Sequence, residues 1–192
     1  MKITDNTLQY CRNFFRNELI SIYGERETDE LFFYWVNAKL GLSRSRMLAE
    51  LEEKREKAFV EDLQLAVLRL KKTEPIQYIL GFVEFADCRI EVNKNVLIPR
   101  PETEELVYLL KVKLSLVNTP IILDLCTGSG CIAIGLKKQL SKAEVFGSDL
   151  SSEAIEMARK NAAINNLTVD FEVENALTLP NSDRKYDLIV SN

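Results

Sequence analysis

The segment Asp124-Leu-Cys-Thr-Gly-Ser-Gly130 decides the fold of the second half of this 192-residue chain. It ends the apolar run over residues 120–125, which is typical of a buried strand, and it precedes a helical pattern over residues 131–140. The two glycines at this junction allow a tight turn and let a ligand approach more closely than a Cβ would permit. The segment therefore predicts a strand, a ligand-binding turn and a helix in succession.

The same alternation of strands and helices continues toward the C-terminus. Strand patterns cover residues 143–149, 168–173 and 186–191, and a helical pattern covers residues 152–165. Alternation of this kind indicates a parallel sheet with helices on its faces. We therefore expect an α/β domain over residues 99–192.

The N-terminal part reads as a small helical bundle. Apolar residues recur at helical spacing over residues 4–72, without strand-like alternation. Start and stop signals divide this region into about four helices. The candidate N-caps are Asn6 or Thr7, Thr28 and Ser43, and the candidate stops are Gly24 and Gly41. We interpret Phe32, Phe33, Trp35 and Phe59 as bundle core, with a docking surface as the alternative.

A structured linker is predicted between these two parts. Residues 83–92, the turn Asn93-Lys-Asn95 and residues 96–98 read as a β-hairpin. The segment Pro99-Arg-Pro-Glu-Thr-Glu-Glu105 then opens another helix, because Pro101 and the acids suit a helix N-terminus. The predicted domains are a helical bundle over residues 1–74, a hairpin linker over 75–98 and an α/β domain over 99–192.

Composition narrows the classes of function. The formal net charge is −4 and neither half is strongly basic, which argues against DNA or RNA as the main ligand. The chain contains no histidine, and its four cysteines form no Cys-x-x-Cys pair, so we predict no metal site and no disulfide framework. No apolar run approaches the roughly 20 residues that cross a bilayer, and the N-terminus lacks a signal-peptide pattern, so we expect a cytoplasmic protein without membrane contact.

A distal acid strengthens the interpretation of the glycine turn. Asp149 ends the second predicted strand, about 20 residues beyond Gly130, where a carboxylate can accept hydrogen bonds from both hydroxyls of a ribose. Thr127 or Ser129 adds a hydroxyl to the same turn. Together these residues predict a site for an adenosine-containing ligand.

The residues leave the identity of that ligand open at this point. Gly128-x-Gly130-x-x-Ala133 also fits the fingerprint of dinucleotide-binding enzymes. Asn192 is the last residue of the fourth predicted strand, at the carboxyl edge where ligands of parallel sheets bind. Its side-chain carbonyl can accept a hydrogen bond from an amide or amino group, although an asparagine that merely begins a turn has the same pattern.

Several motifs together resemble the HemK/PrmC family, whose members methylate the glutamine of the Gly-Gly-Gln motif in peptide-chain release factors. The resemblance rests on Gln77-Tyr-Ile-Leu-Gly81, on Phe85 and on Val96-Leu-Ile-Pro-Arg-Pro-Glu-Thr-Glu-Glu-Leu-Val107. It extends to Asp124-Leu-Cys-Thr-Gly-Ser-Gly-Cys-Ile-Ala-Ile134 and to Asp187-Leu-Ile-Val-Ser-Asn192, which matches the start of the family's Asn-Pro-Pro-Tyr motif. The helical N-terminus is similar to the family only in kind and position.

The resemblance implies a Rossmann-like class I methyltransferase domain that uses S-adenosylmethionine, with release factors as its protein partners. It assigns Cys126, Thr127, Gly128, Ser129 and Gly130 to the cofactor's methionine and adenosine side. It also assigns Asp149 to the ribose and Ala176 to a position flanking the adenine. Asn192 is assigned to the cofactor site and to the substrate amide, as the catalytic residue. The family more often has glycine where Cys126 stands and aspartate where Asn175 stands.

The resemblance further implies a mechanism by alignment. A sulfonium methyl group is already an activated electrophile, so transfer requires no histidine. If Asn192 and the backbone carbonyl after it accept both amide protons of a glutamine, the amide nitrogen's lone pair is turned toward the methyl carbon. A complete family domain has seven strands, whereas this chain is predicted to have four. We therefore expect a chain truncated at the start of the Asn-Pro-Pro-Tyr motif, which folds in part and does not turn over substrate.

Three other functions remain as alternatives. An amino methyltransferase acting on nucleic-acid bases would share the Asn-Pro-Pro motif, and an NAD-dependent oxidoreductase would share the glycine pattern. A helical adaptor with a vestigial nucleotide fold would need neither ligand. Loss of cofactor binding on removal of the Asp149 carboxylate separates both methyltransferases from the adaptor, and calorimetry with NAD tests the oxidoreductase.

Overall fold

Two compact units make up the chain in the computed structural model, which describes residues 5–178 and 184–192. The units are Met1–Leu80 and Gly81–Asn192. Thr4, the predicted start of the helical region, lies outside the described residues. The structure groups the hairpin with the second unit, while the three-part division into residues 1–74, 75–98 and 99–192 stays a prediction.

The first unit is helical. Its elements are α1 (Leu8–Leu40), α2 (Arg44–Ala49), α3 (Lys57–Leu70) and α4 (Ile76–Leu80). In none of the described residues does a helix have the length and apolar character needed to span a membrane.

Most of the predicted helix boundaries in the first unit are confirmed. The hydroxyl oxygen of Thr7 accepts a hydrogen bond from the backbone N–H of Tyr10, and Ser43 caps α2 through the N–H of Arg46. Gly41 ends α1 in the left-handed region with φ 66°, and Gly24 interrupts the same helix with φ 77° and ψ 170°. Both glycines therefore act where the sequence places them.

The predicted N-cap at Thr28 is wrong. Thr28 is fully buried inside α1, and its hydroxyl donates a hydrogen bond of 2.6 Å to the carbonyl oxygen of Gly24. The helix resumes directly after Gly24, because the glycine alone supplies the non-helical geometry. Thr28 therefore bonds backward to a carbonyl four residues earlier instead of capping a new helix.

Aromatic side chains fill the core of the first unit, as predicted for three of the four. Phe32, Trp35 and Phe59 are buried, with exposed fractions of at most 9%. Phe33 is half-buried, and the guanidinium carbon of Arg44 lies 3.9 Å from the centroid of its ring. Phe33 thus packs against the core on one side and against a cation on the other.

The hairpin exists, but its predicted turn is wrong. Strands β1 (Phe82–Phe85) and β2 (Cys88–Glu91) pair antiparallel, and the turn is formed by Ala86 and Asp87. These two residues have φ values of 48° and 62°, the positive pair that a two-residue hairpin turn requires. Side chains from distant elements hold them there: the N–H of Ala86 donates to Glu104, and Gln139 donates to Asp87. These contacts come from residues that are distant in the sequence. The turn-favouring residues Asn93-Lys-Asn95 therefore predicted the wrong position for the hairpin turn.

The second unit contains a parallel sheet built by strand–helix alternation. Its elements are α5 (Pro101–Leu114), β3 (Ile121–Leu125), α6 (Cys131–Gln139), β4 (Glu144–Asp149), α7 (Ser152–Ile164), β5 (Asp170–Val173) and β6 (Leu188–Ser191). The sheet has the order β5-β4-β3-β6, and all three of its strand pairs are parallel. This order matches the 3-2-1-4 part of a doubly wound Rossmann-like sheet, so the predicted fold class is confirmed.

Two glycines in the turn between β3 and α6 have different structural roles. Both Gly128 (φ 54°) and Gly130 (φ 79°) occupy the left-handed region. An added Cβ at Gly128 would meet no atom within 4 Å, whereas at Gly130 it would lie 2.9 Å from the Cβ of Ala158 and 3.1 Å from the ring of Phe171. Gly128 therefore leaves open space above the turn, and Gly130 allows the turn to pack against α7 and β5.

Substituting each glycine by alanine separates backbone strain from packing. Gly128→Ala should lower the free energy of unfolding by about 1 kcal/mol, because a Cβ is disfavoured at positive φ. Gly130→Ala should lower it by roughly a further 1 to 3 kcal/mol, because the methyl group also overlaps Ala158. Urea denaturation of both variants measures the difference, and equal losses would show that the packing contact is unimportant.

Candidate functional site

The candidate site lies at the carboxyl edge of the parallel sheet. The turn over residues 126–130 leaves β3, and Asn192 follows β6, the neighbouring strand on one side. Asp149 ends β4, the neighbouring strand on the other side. The chain runs from β3 outward through β4 to β5 and then crosses back to β6, so the strand order switches between β3 and β6, where ligands of such sheets bind.

Two hydrogen bonds fasten the turn to the end of β4. The backbone N–H of Thr127 donates to the carbonyl oxygen of Ser148 at 2.9 Å, and the N–H of Gly128 donates to Oδ2 of Asp149 at 2.9 Å. Oδ1 of Asp149 accepts a further bond of 3.0 Å from the N–H of Ser151. An ionised carboxylate has about four acceptor positions, so Asp149 orients the turn and retains capacity for ligand hydroxyls.

Asp124 supports the turn from below. It is 1% exposed, and its Oδ2 accepts hydrogen bonds from the hydroxyl of Thr127 at 2.6 Å and from the N–H of Ala133 at 3.1 Å. Its Oδ1 is buried and has no hydrogen-bond partner in the described part of the chain. Burial is the main cause that raises the pKa of Asp124 to about 7, and the charge of Asp149 adds to it against the two hydrogen bonds.

A recess of about 60 Å³ brings most of the predicted site residues together. Its walls are the turn over residues 126–130, the segment between the hairpin and α5, and the end of β6. Within it, Nδ2 of Asn192 donates a hydrogen bond of 2.6 Å to the hydroxyl oxygen of Thr103, which is 5% exposed. The lining residues are Leu97, Ile98, Pro99, Arg100, Thr103, Cys126, Thr127, Gly128, Ser129, Cys131, Ile132 and Asn192.

The residues present fit an adenosine-containing cofactor. The open space above Gly128 lets a ligand reach the backbone, and the adjacent Asp149 offers carboxylate oxygens to a ribose. Helix α6 begins immediately after Gly130, so its N-terminal dipole favours a negatively charged ligand group nearby. Within residues 5–178 and 184–192, no group of three or more potential metal-ligating side chains is present.

Ala176 lies apart from the recess. It is exposed in a turn that follows β5, and it does not line the recess. The β5 segment nevertheless continues beside Asp149, because the N–H of Glu174 donates to the carbonyl oxygen of Asp149 at 2.9 Å. Oδ1 of Asn175 accepts a hydrogen bond from the N–H of Leu177, so this side chain stabilises its own turn. The role of Ala176 beside an adenine stays a prediction.

Cys126 is the exposed residue of the turn and has an unusual backbone. Its φ is 59°, in the left-handed region that favours glycine. The backbone therefore keeps the geometry that glycine would have, and the cysteine side chain is accommodated at the mouth of the recess.

Sequence reasoning missed two polar residues that organise the site. Thr103 lies in the quoted segment Pro99-Arg-Pro-Glu-Thr-Glu-Glu105, but no local signal assigned it a role, since its partner Asn192 is 89 positions away. Asn161 of α7 is fully buried and bonds to the carbonyl oxygen of Ser129 in the turn. A polar residue on the buried face of a predicted helix is the signal that could have identified it.

The buried carboxyl of Asp124 should make stability depend on pH. Between about pH 4 and pH 7 the folded chain holds a proton on Asp124 that the unfolded chain has released, because the pKa rises from 3.8 to about 7 on folding. The stabilisation is complete below pH 4 and is lost as the pH rises through 7. Relative to Asp124→Asn, which does not titrate, the wild type should lose up to about 4 kcal/mol across this range.

Urea denaturation of both proteins at several pH values measures this difference. The control is Asp170→Asn, which removes an exposed carboxylate at the start of β5. Parallel pH profiles for wild type and Asp124→Asn would contradict the assignment of the proton to Asp124.

Comparison with known protein families gives two matches within the chain. Residues 122–192 match the model of a methyltransferase domain, and residues 13–81 match the model of the PrmC N-terminal domain. The first match includes the turn over residues 126–130, Asp149 and Asn192. The second covers most of the helical unit.

Curated relatives carry the name release factor glutamine methyltransferase. The protein from Flavobacterium psychrophilum is 40% identical over 184 residues, covering 94% of this chain and 65% of the relative. Those from Lactococcus lactis and Streptococcus pneumoniae are 40% and 38% identical, covering 85% and 93% of this chain and 59% and 62% of the relatives. The chain thus spans about three-fifths of the length of these relatives.

A solved structure of a Pyrococcus abyssi tRNA (uracil-54, C5)-methyltransferase in complex with S-adenosyl-L-homocysteine also overlaps in part. It is 29% identical, covers 57% of this chain and 27% of its own, and has a TM-score of 0.47. The two family models and the three relatives agree with each other across both units of the chain. The chain therefore belongs to the HemK/PrmC family.

Proposed function

We propose that this chain provides the cofactor turn and the acceptor-orienting asparagine for methylation of the glutamine in the Gly-Gly-Gln motif of peptide-chain release factors. The observation that carries the proposal is the recess in which Asn192 lies beside the turn, with its amide nitrogen already bonded to Thr103. The names of the relatives support release factors as the substrate class.

The bond to Thr103 suits Asn192 for binding an amide. Since Nδ2 of Asn192 donates to the hydroxyl of Thr103, the carbonyl oxygen of the same side chain is left as an acceptor. An amide N–H of the substrate glutamine donates to this oxygen. The glutamine nitrogen is thereby held in one orientation, and the hydrogen bond strengthens as that nitrogen becomes more positive during transfer.

In this proposal the turn over residues 126–130 and Asp149 would hold S-adenosylmethionine. When bound, this cofactor supplies a methyl group activated by its sulfonium charge. Asp149 binds the ribose hydroxyls while it keeps Gly128 in place. The open backbone at Gly128 allows close contact without steric conflict. Alignment of two bound reactants is the main contribution of these residues to the rate.

The helical unit is the recognition module in this proposal. Its match to the PrmC N-terminal domain supports a role shared with the relatives. Release factors act on ribosomes, so the proposal places the protein in the cytoplasm. The overall negative charge supports a protein partner over direct binding of nucleic acid.

Removing the carboxylate of Asp149 should abolish cofactor binding. Asp149→Ala eliminates the predicted ribose acceptor and the bond that holds the N–H of Gly128, so the affinity for S-adenosylhomocysteine should fall by at least about 100-fold. Isothermal titration calorimetry measures the loss, with Asp170→Ala as the matched control. NAD, titrated against the wild type, should give no heat of binding, and tight binding of NAD would favour an oxidoreductase.

Asn192 should be required for methyl transfer. We expect Asn192→Ala to lower the rate by about 100-fold or more with little change in cofactor affinity, because the bond to the substrate amide strengthens in the transition state. The measurement is incorporation of labelled methyl groups into a release factor. The protein used in this assay is a fusion. It joins residues 1–192 to the part of the Flavobacterium psychrophilum relative that follows the residue aligned with Asn192.

Two controls accompany this assay. Asn118→Ala removes an exposed asparagine from the loop before β3 and should leave the rate unchanged. A release factor whose Gly-Gly-Gln glutamine is replaced by alanine should accept no label. Labelling of that variant, or of nucleic-acid bases at a comparable rate, would refute glutamine as the acceptor.

A further inference from the structure

Asn161 of α7 and Asn165, the C-cap residue that follows α7, bind the outer edge of strand β2 as another strand would. Asn165 accepts a hydrogen bond from the N–H of Arg89 at 3.0 Å and donates to the carbonyl oxygen of Arg89 at 2.8 Å. Asn161 accepts from the N–H of Glu91 at 2.8 Å and donates to the carbonyl oxygen of Glu91 at 3.0 Å. Each side-chain amide therefore satisfies both backbone groups of one strand residue.

The spacing of these pairs follows from the geometry of helices and strands. Four residues of an α-helix rise about 6 Å, and two residues of a β-strand advance about 6.6 Å. Asn161 in α7 and its C-cap residue Asn165 are four apart, while Arg89 and Glu91 are two apart in β2. The two asparagines therefore remain in register with alternate residues on the same edge of the strand.

Asn161 differs from Asn165 in the target of its second donated hydrogen bond. Nδ2 of Asn161 also donates a bond of 2.9 Å to the carbonyl oxygen of Ser129 in the turn, whereas the second bond from Nδ2 of Asn165 goes to the carbonyl oxygen of Asn161. Asn161 is 0% exposed, whereas Asn165 is half-buried. Both amide hydrogens and the carbonyl oxygen of Asn161 are thus engaged, with β2 on one side and the turn on the other.

A hydrogen bond to the carbonyl oxygen of Ser129 can fix the conformation of the turn. It belongs to the peptide that joins Ser129 to Gly130, where the chain has φ 79° and enters α6. The other fastenings of the turn come from β4 and from Asp124, at Thr127 and Gly128. Among the described residues, Asn161 is the side chain whose hydrogen bonds link the turn to strand β2 of the hairpin.

We propose that Asn161 is a positioning residue for cofactor binding, which fixes the Ser129–Gly130 peptide by tying it to strand β2. The inference rests on the proposed function, since it assigns the turn to the cofactor. Asparagine is required because the position needs two donors and one acceptor at carboxamide length. Aspartate would place a carboxylate against two carbonyl oxygens, and leucine would leave the buried Ser129 carbonyl and both half-buried backbone groups of Glu91 without these partners.

The first test compares cofactor affinity in matched variants. Asn161→Leu and Asn161→Ser remove the bond to Ser129, and Asn165→Leu removes only the contacts with Arg89 and α7. Calorimetry with S-adenosylhomocysteine, well below each variant's melting temperature, should show affinity about tenfold weaker for both Asn161 variants and changed less than about twofold for Asn165→Leu. A purely structural role would lower the melting temperatures and leave the affinities equal, which would overturn the proposal.

The second test needs no ligand. Amide hydrogen exchange measured by NMR should show faster exchange at Gly130 in the Asn161 variants and unchanged exchange there in Asn165→Leu, which instead exposes the amide of Arg89. Unchanged exchange at Gly130 in the Asn161 variants would overturn the positioning role. If the wild type binds no cofactor, the proposed function fails, and this measurement still decides the role of Asn161.

A measurement on the wild type tests the proposal even if the Asn161 variants do not fold. The side-chain amide signals of Asn161 should shift when S-adenosylhomocysteine is added, and those of Asn165 should not. Equal shifts, or no shift at Asn161 when the cofactor binds, would overturn the proposal.

Discussion

The attachment of the β3–α6 turn to the end of β4 is the constraint on which the rest of the site depends. The turn contains three alternate positions with positive φ, at Cys126, Gly128 and Gly130. Such a segment has little intrinsic preference for one conformation, so external hydrogen bonds must select it. Ser148 and Asp149 of β4 accept these hydrogen bonds. The parallel pairing of β3 with β4 places both acceptors beside the turn that follows β3.

Two aspartates at this edge act differently because their surroundings differ. Asp124 is buried beneath the turn, where desolvation favours the protonated form and its Oδ2 receives the hydroxyl of Thr127. Asp149 is half-buried at the end of its strand and accepts only backbone N–H groups among its described hydrogen bonds. Asp124 thus supports the turn internally, while Asp149 can both hold the turn and meet a ligand.

The hairpin and the segment after it build the second wall of the recess. Asn161 of α7 and its C-cap residue Asn165 anchor β2, and side chains of α5 and α6 hold the turn residues Ala86 and Asp87. The chain then passes through Leu97 to Arg100, which line the recess, into α5, where Thr103 meets Asn192. The acceptor side of the site is therefore assembled from segments that are distant in sequence and joined by side-chain amides and hydroxyls.

The sequence by itself determined the order of strands and helices, because apolar periodicity and glycine or capping residues are local signals. The strand before Gly128, the helix that begins with Pro101 and the glycine stops at Gly24 and Gly41 could all be predicted in this way. Of the candidate site, the positions of the turn, Asp149 and Asn192 at strand ends could be predicted from motif spacing, while their roles stay predictions. Tertiary structure alone decided the turn at Ala86 and Asp87, the burial of Thr28 inside a helix, and the partnership of Thr103 with Asn192. These features depend on hydrogen bonds and packing whose partners local patterns do not specify.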